Sequence, residues 1–237
     1  MQYVPDKTGR FVRRPHYEPA ELDDECERII TDFLRKKYGN VTYPICTNDL
    51  TLLIEQETDE LDLYADLSKE GVDVHGVTYF YPRKKPRVRI AKDLSEGDNR
   101  ENRLRTTLTH EYGHVRFHNY VWQLDLVPQE LQTNVPSKVS PKCNRESILN
   151  ASAKDWMEWQ AGYVSGAFLM PVRALKELVG EFCQRENVFA PVVCHAPKGV
   201  ELQHVVMEQF KVSEEAARVR MLKLQLLSMR DQGPTLF

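Results

Sequence analysis

No stretch of this chain approaches the roughly 20 consecutive apolar residues that a membrane-spanning helix needs, so we expect no membrane association. The 237 residues include only five cysteines, which are far apart and form no Cys-x-x-Cys pair. That spacing favours reduced thiols over a disulfide framework and predicts a cytoplasmic protein. A net charge of −3 gives no overall attraction to nucleic acid, so DNA binding would need a local basic patch.

The N-terminal residues also lack a hydrophobic period and an apolar run, so we expect no secretory signal there. They predict an extended arm over 1–21. Length and composition predict one globular domain over 22–182, followed by a helical C-terminal segment over 183–237.

Two kinds of hydrophobic pattern predict an α+β fold. Apolar residues at helical spacing predict a helix over Leu22 to Tyr38. Strand-forming residues predict three short strands, at Leu61 to Leu67, Val77 to Tyr81 and Val88 to Ala91. We expect these strands to form a small antiparallel or mixed sheet just before a helix over Asn99 to Asn119.

That predicted helix carries the motif His-Glu-x-x-His, at His110, Glu111 and His114. Residues four apart lie on one face of a helix, so the two imidazoles can bind the same metal ion. The glutamate lies beside that face, where a carboxylate can remove a proton from water. This pattern predicts a zinc site with His110 and His114 as ligands and Glu111 as the catalytic base.

Zinc in a catalytic site needs a third protein ligand. His118 is one helical turn beyond His114, but it lies about 12 Å from His110 along a straight helix. We therefore predict that His118 supports the site from a neighbouring position or lies at the surface. A carboxylate on the later helix is the better candidate, and spacing alone leaves both Glu158 and Asp155 open.

The residues around both helices resemble the ImmA/IrrE family of metallopeptidase-like proteins. The matching segments are 103–114 (RLRTTLTHEYGH), 158–162 (EWQAG) and 168–171 (FLMP). The resemblance implies a minimal zincin-like metalloprotease core of the gluzincin type. In it, His110, His114 and Glu158 hold zinc and Glu111 is catalytic. The chain departs from the family pattern at Gly162, where asparagine is usual, and in its long loop at 128–152.

The same resemblance implies a zinc endopeptidase of narrow specificity, with a protein substrate such as a helix-turn-helix repressor or antitoxin. The alternative is a zinc-containing regulatory protein that binds a partner or DNA without proteolysis. An intact Glu111 favours the peptidase, because a structural zinc site has no use for a base. The oligomeric state is not predictable from the sequence.

Three further features have less specific interpretations. The C-terminal segment resembles the family's helix-turn-helix-like tail, but Glu214 and Glu215 at a helix start disfavour phosphate binding and favour a packing role. The strand Val88 to Ala91 is the candidate edge for substrate binding by strand addition. Its basic flank favours a solvated hairpin over DNA binding. The basic residues are Arg83, Lys84, Lys85, Arg87 and Arg89. The candidate oxyanion-stabilising groups are Tyr163, His195, His204 and nearby arginines, and the sequence does not distinguish among them.

Overall fold

A hairpin opens the chain, where the sequence predicts an extended arm. The structure is a computed structural model that describes residues 1–71, 73–81, 84–96, 100–123, 142–144 and 155–230. Strands β1 (Gln2–Pro5) and β2 (Arg13–His16) pair antiparallel. Between them, Phe11 is 2% exposed and makes edge-to-face contacts with two tryptophan rings. Burial of this ring anchors the hairpin to the rest of the protein.

Two helices then form one wall of the core. Helix α1 (Pro19–Tyr38) starts three residues earlier than predicted, because Glu18 and Glu21 form a capping box and a proline occupies the first turn. It ends at Gly39, whose φ of 78° is the left-handed conformation that glycine adopts readily. Helix α2 (Thr47–Glu57) follows. Their buried faces contain Leu22, Cys26, Ile30, Leu34, Leu50, Leu53 and Ile54.

A mixed sheet follows these two helices along the chain, and its first strand contacts α2. Its described strands are β3 (Glu60–Ala65), β4 (Val74–Tyr79), β5 (Arg87–Ala91) and β6 (Lys142–Asn144). They lie in the order β3-β5-β4-β6. The β3–β5 pair is parallel and the other two pairs are antiparallel. The predicted loop over 128–152 lies outside the described residues except for β6.

This strand order corrects one prediction about the substrate edge. Strand β5, which contains Val88 to Ala91, lies between β3 and β4 and pairs with both. Its backbone groups are therefore already used on both sides, and it cannot accept a substrate as an added strand. Both partner strands, β3 and β4, precede β5 in the sequence. The central position of β5 therefore depends on which strands pair and not on its own residue pattern.

The short helix α3 (Lys92–Ser95) leads into the long helix α4 (Glu101–Gln123). Helix α4 packs through one apolar stripe: Leu108, Tyr112 and Val115 are buried in the main core, and Leu104 packs against it. Helix α4 contacts β4 on one side and helix α5 (Trp156–Leu169) on another. It is therefore positioned from both sides.

Gly113 permits the close approach of α4 and α5. A Cβ atom there would lie 2.6 Å from Cγ2 of Val164 and 3.2 Å from Cα of Ala161. A residue without a side chain is therefore required where the two helices approach at this point.

We expect Gly113→Ala to lower the free energy of unfolding by about 1–3 kcal/mol, the usual cost of overpacking a core. Urea denaturation measures this difference. The matched control is Gly180→Ala, also in a helix, where an added Cβ meets nothing within 4 Å. The control should be neutral or stabilising by up to about 1 kcal/mol, because alanine favours helix over glycine. Equal stability changes for both variants would contradict close packing at Gly113.

The C-terminal elements share the main core with helices α4 and α5. They are α6 (Val172–Glu186), β7 (Val192–Val193), α7 (Pro197–Phe210), α8 (Glu214–Lys223) and β8 (Leu227–Ser228). Their apolar residues in that core include Leu202, Val206, Phe210, Ala217 and Met221.

A buried ion pair also ties α8 to α1. Arg220 and Asp23 approach to 2.7 Å, and both side chains are less than 10% exposed. Ser213 caps α8 by accepting a hydrogen bond from the backbone N–H of Ala216 at 3.2 Å. Burial of this helix against the core is the packing role that its acidic first turn favours. No helix in the described part of the chain is long and apolar enough to cross a membrane.

Candidate metal centre

Helices α4 and α5 bring three potential ligands together. Nε2 of His110 lies 3.2 Å from Nε2 of His114. The Glu158 carboxylate lies 3.2 Å from Nε2 of His110 and 3.4 Å from Nε2 of His114. Among the described residues, these three form the only group of histidine, cysteine and acidic side chains with the spacing of a metal site.

The group is shielded from solvent. Both histidine side chains are 0% exposed and the glutamate side chain is 12% exposed. Burial raises the pKa of the Glu158 carboxyl, but the neighbouring His114 and His110 lower it further, so the carboxylate is ionised. Burial also lowers the pKa of His110, which favours its neutral, ligating form. The pocket therefore combines one anionic and one neutral donor at the distance that a cation needs.

Asp155, the other acid left open by spacing, has a different role. It is the N-cap of α5, and its Oδ1 accepts a hydrogen bond from the backbone N–H of Met157 at 3.1 Å. Its other oxygen lies 2.9 Å from the guanidinium of Arg10. The carboxylate is thus used in helix capping and in an ion pair with the N-terminal hairpin.

Strand β4 positions the glutamate of the motif. Glu111 is 0% exposed, and its Oε2 accepts a hydrogen bond from Oγ1 of Thr78 at 2.5 Å. Gly76, two residues earlier on the same face of β4, leaves space for this carboxylate. A Cβ atom there would lie 2.5 Å from Oε1 of Glu111. Both residues therefore hold the carboxylate beside the metal ligands.

His118 also belongs to the site, although it is not one of the clustered ligands. It is fully buried, which rules out a surface position. Its Nδ1 lies 2.9 Å from Nδ1 of His114, and its Nε2 lies 3.0 Å from Oε1 of Gln160. The Gln160 amide then donates to the backbone carbonyl of Pro15 at 3.3 Å.

These contacts form a hydrogen-bond chain with a single consistent direction. If His114 binds a metal through Nε2, its Nδ1 carries the proton and donates to His118. Burial, followed by the neighbouring His114, lowers the pKa of His118 well below its usual value, so the ring is neutral. Its Nε2 then carries the remaining proton and donates to Gln160. The chain therefore fixes the ring orientation and tautomer of His114.

We expect Gln160→Leu to lower the metal affinity by about 10–100-fold, the usual effect of losing a group that orients a ligand. Competition with a chromophoric chelator measures this change. The matched control is Gln209→Leu, because the amide of Gln209 also donates to a backbone carbonyl, that of Tyr43, at 3.4 Å. An equal loss of affinity in both variants would contradict an orienting role for Gln160.

The three residues named as candidates for stabilising the oxyanion have another partner or lie at the surface. The Tyr163 hydroxyl donates to Asp23 at 2.8 Å, within the buried cluster that includes Arg220. His195 and His204 are both exposed, in the C-terminal part of the chain. None of the three has a recorded contact with the metal-ligand group in the part of the chain described.

Two of the five residues in the basic flank of β5 are paired with acids. Arg87 lies 2.9 Å from Asp59, and Arg89 lies 3.6 Å from Asp62 on the adjacent strand. Lys85 donates to a backbone carbonyl at 2.8 Å. Arg83 lies outside the described residues.

Sequence reasoning missed Gly76, Thr78 and Gln160. Gly76 and Thr78 lie in strand β4. Alternation along a strand indicates which residues share a face, but it does not indicate which element packs against that face. Gln160 falls within the quoted segment 158–162, yet nothing in its spacing indicates a histidine partner. The repeated four-residue step from His110 through His114 to His118 was the available signal, since it predicts three rings along one helix face.

Comparison with known proteins agrees with the geometry. The search of curated proteins gives no match. A family profile, Peptidase M78 with the description IrrE N-terminal-like domain, matches residues 56–222. That segment is more than half of the 237-residue chain and contains His110, Glu111, His114 and Glu158. The chain therefore belongs to the Peptidase M78 family, with the α+β zincin-like fold and the metallopeptidase-type site of an ImmA/IrrE protein.

Proposed function

We propose that this protein is a zinc-dependent endopeptidase that cleaves a peptide bond in a protein partner. The observation that carries the proposal is the convergence of His110, His114 and Glu158, with the carboxylate of Glu111 held beside them. A structural zinc site usually has four protein ligands. A three-ligand group next to a positioned base is instead the arrangement of a catalytic site.

The donor set fits zinc in type and in spacing. Zinc accepts imidazole nitrogen and carboxylate oxygen at about 2.0–2.2 Å, with tetrahedral geometry. Ligand atoms of such a site lie about 3.3–3.5 Å apart, and the three separations here are 3.2, 3.2 and 3.4 Å. The ligands are thus already close to the spacing that zinc requires.

Zinc bound there would supply Lewis acidity, which lowers the pKa of water and polarises a carbonyl group. The protein's own contribution is Glu111, which removes a proton from the attacking water and passes it to the leaving amine. The Thr78 hydroxyl, 2.5 Å from Oε2, fixes the orientation of this carboxylate. Burial of the whole group strengthens each electrostatic interaction.

The substrate that we propose is a transcriptional repressor or antitoxin of the helix-turn-helix type, and the proposed location is the cytoplasm. The family resemblance supports the substrate. The four cysteines whose side chains are described are unbonded, which agrees with a reducing compartment. The alternative, regulation without proteolysis, predicts no cleavage products.

The test is to incubate the zinc-loaded protein with purified helix-turn-helix repressors, chosen first from neighbouring reading frames, and to identify products by mass spectrometry. We expect one or a few defined cleavage sites, loss of cleavage on chelation and recovery on adding zinc. The matched control is the Glu111→Gln protein. Products that form equally with the variant or with chelator would contradict the proposal, and intact repressors throughout would favour the alternative.

A further inference from the structure

Strand β6 occupies the edge of the sheet that faces the metal centre. It pairs antiparallel with β4, with Cys143 opposite Gly76 and Lys142 opposite Val77. Gly76 is the residue whose backbone lies against the Glu111 carboxylate. Strand β6 also contacts helix α4, which carries His110 and His114. The backbone of β6 therefore runs along β4 at the level of the catalytic base.

An extended peptide bound along the same edge would need the same backbone groups. The inner edge of β4 is used by β5, so strand addition is possible only on the outer edge. Each N–H and C=O group on that edge can serve one partner strand at a time. A peptide chain paired there would pass Glu111 at Gly76. Strand β6 and such a peptide therefore exclude one another.

We propose that β6 is a built-in competitor for the substrate site, and that substrate binds by displacing it from β4. This proposal rests on the proposed peptidase function and adds a mode of regulation to it. It also defines the substrate class, which is a segment of a protein that can become fully extended next to β4.

The lengths of the two strands explain how displacement can occur. Strand β6 has three residues and its pairing with β4 is interrupted by a register shift. Strand β4 has six residues, so a longer extended substrate can form more backbone hydrogen bonds than β6 does. Short or tightly folded segments cannot, and they remain excluded. The competitor thus raises the length and extension that a substrate needs.

The test compares two double variants in the Glu111→Gln background, where no cleavage occurs. Lys142→Pro/Cys143→Pro removes two backbone N–H donors from β6, whereas Lys142→Ala/Cys143→Ala keeps them. The probe is a fluorescently labelled peptide with the sequence of residues 139–147, with serine in place of cysteine. Fluorescence anisotropy measures its affinity. We expect the proline variant to bind it about tenfold more tightly than the alanine variant, because the competitor no longer occupies the site.

Hydrogen exchange of the β4 amides gives a second measurement that does not depend on binding. The proline variant should lose protection at the β4 amides that point toward β6, while the β4 amides that pair with β5 and the rest of the core keep theirs. The alanine variant should keep protection at both sets. Equal peptide affinity in the two variants, or unchanged β4 exchange, would overturn the proposal. The proposal would also be overturned if the alanine variant bound the peptide more tightly than the Glu111→Gln protein with an unchanged β6. That result would assign the effect to a side chain.

The two proposals can fail separately. If the proline variant binds the peptide more tightly but the same change in the Glu111 protein yields no hydrolysis, the peptidase function is wrong and β6 still competes for a peptide site. If the Glu111 protein cleaves repressors but the proline change has no effect on affinity or rate, the peptidase function stands and the competitor role is wrong.

Discussion

Replacing Glu111 by glutamine lowers kcat for peptide cleavage by about a thousandfold and leaves zinc binding nearly unchanged. Glutamine keeps the shape of the side chain and can still accept a hydrogen bond from Thr78. It cannot take up the proton of the attacking water, and general base catalysis contributes typically 10²–10⁴-fold. The carboxylate is not among the three clustered ligand groups, so the metal remains held.

The measurement combines a cleavage assay with metal analysis of the same preparation. The matched control is Glu208→Gln, since Glu208 is exposed and pairs with the surface Lys211 at 3.1 Å. It should keep wild-type activity. A Glu111→Gln protein that cleaves as fast as wild type would disprove the assigned mechanism, and one that loses zinc would assign Glu111 to metal binding instead of proton transfer.

The second large effect is on zinc affinity, which Glu158→Gln should lower by more than about 100-fold. The carboxylate is the only anionic member of the group, and its negative charge offsets the cost of placing a cation in a buried site. A neutral amide keeps the volume but removes that charge. The loss should exceed the 10–100-fold effect of removing a group that only orients a ligand. Competition with a chelator of known affinity measures it.

Asp155→Asn is the matched control, because Asp155 lies three residues before Glu158 and carries the same functional group. Asparagine caps a helix about as well as aspartate does, so the helix should persist. The control should change zinc affinity by less than about threefold. If the Asp155 variant lost zinc and the Glu158 variant kept it, the assignment of the third ligand would be reversed.

The part of the site that lies within one helix was predictable from the sequence. The spacing of His110, Glu111 and His114 determines their relative positions once the segment is helical. Helix geometry also separated His118 from the ligands. The third ligand needed more than spacing, because Glu158 and Asp155 lie one turn apart on α5, and only the family resemblance distinguished them.

The order of strands was not predictable in the same way. Strands β3, β4 and β5 appeared near their predicted places, but their arrangement depends on pairing between distant segments. That pairing placed β5 in the centre and left the outer side of β4 to β6. The N-terminal hairpin was missed because its strands include prolines and show little alternation. Its stability comes from the buried Phe11, a contact that no local pattern encodes.

The hydrogen-bond chain from His114 through His118 and Gln160 ends at Pro15, which lies upstream of the family match at residues 56–222. A protein truncated to residues 56–222 would therefore lack Pro15, the last acceptor of the hydrogen-bond chain that orients a metal ligand. The segment that matches the family supplies the reactive groups, and a residue outside that segment supplies one of their supports. A substitution in the N-terminal hairpin can therefore change metal retention without altering any residue of the signature motif.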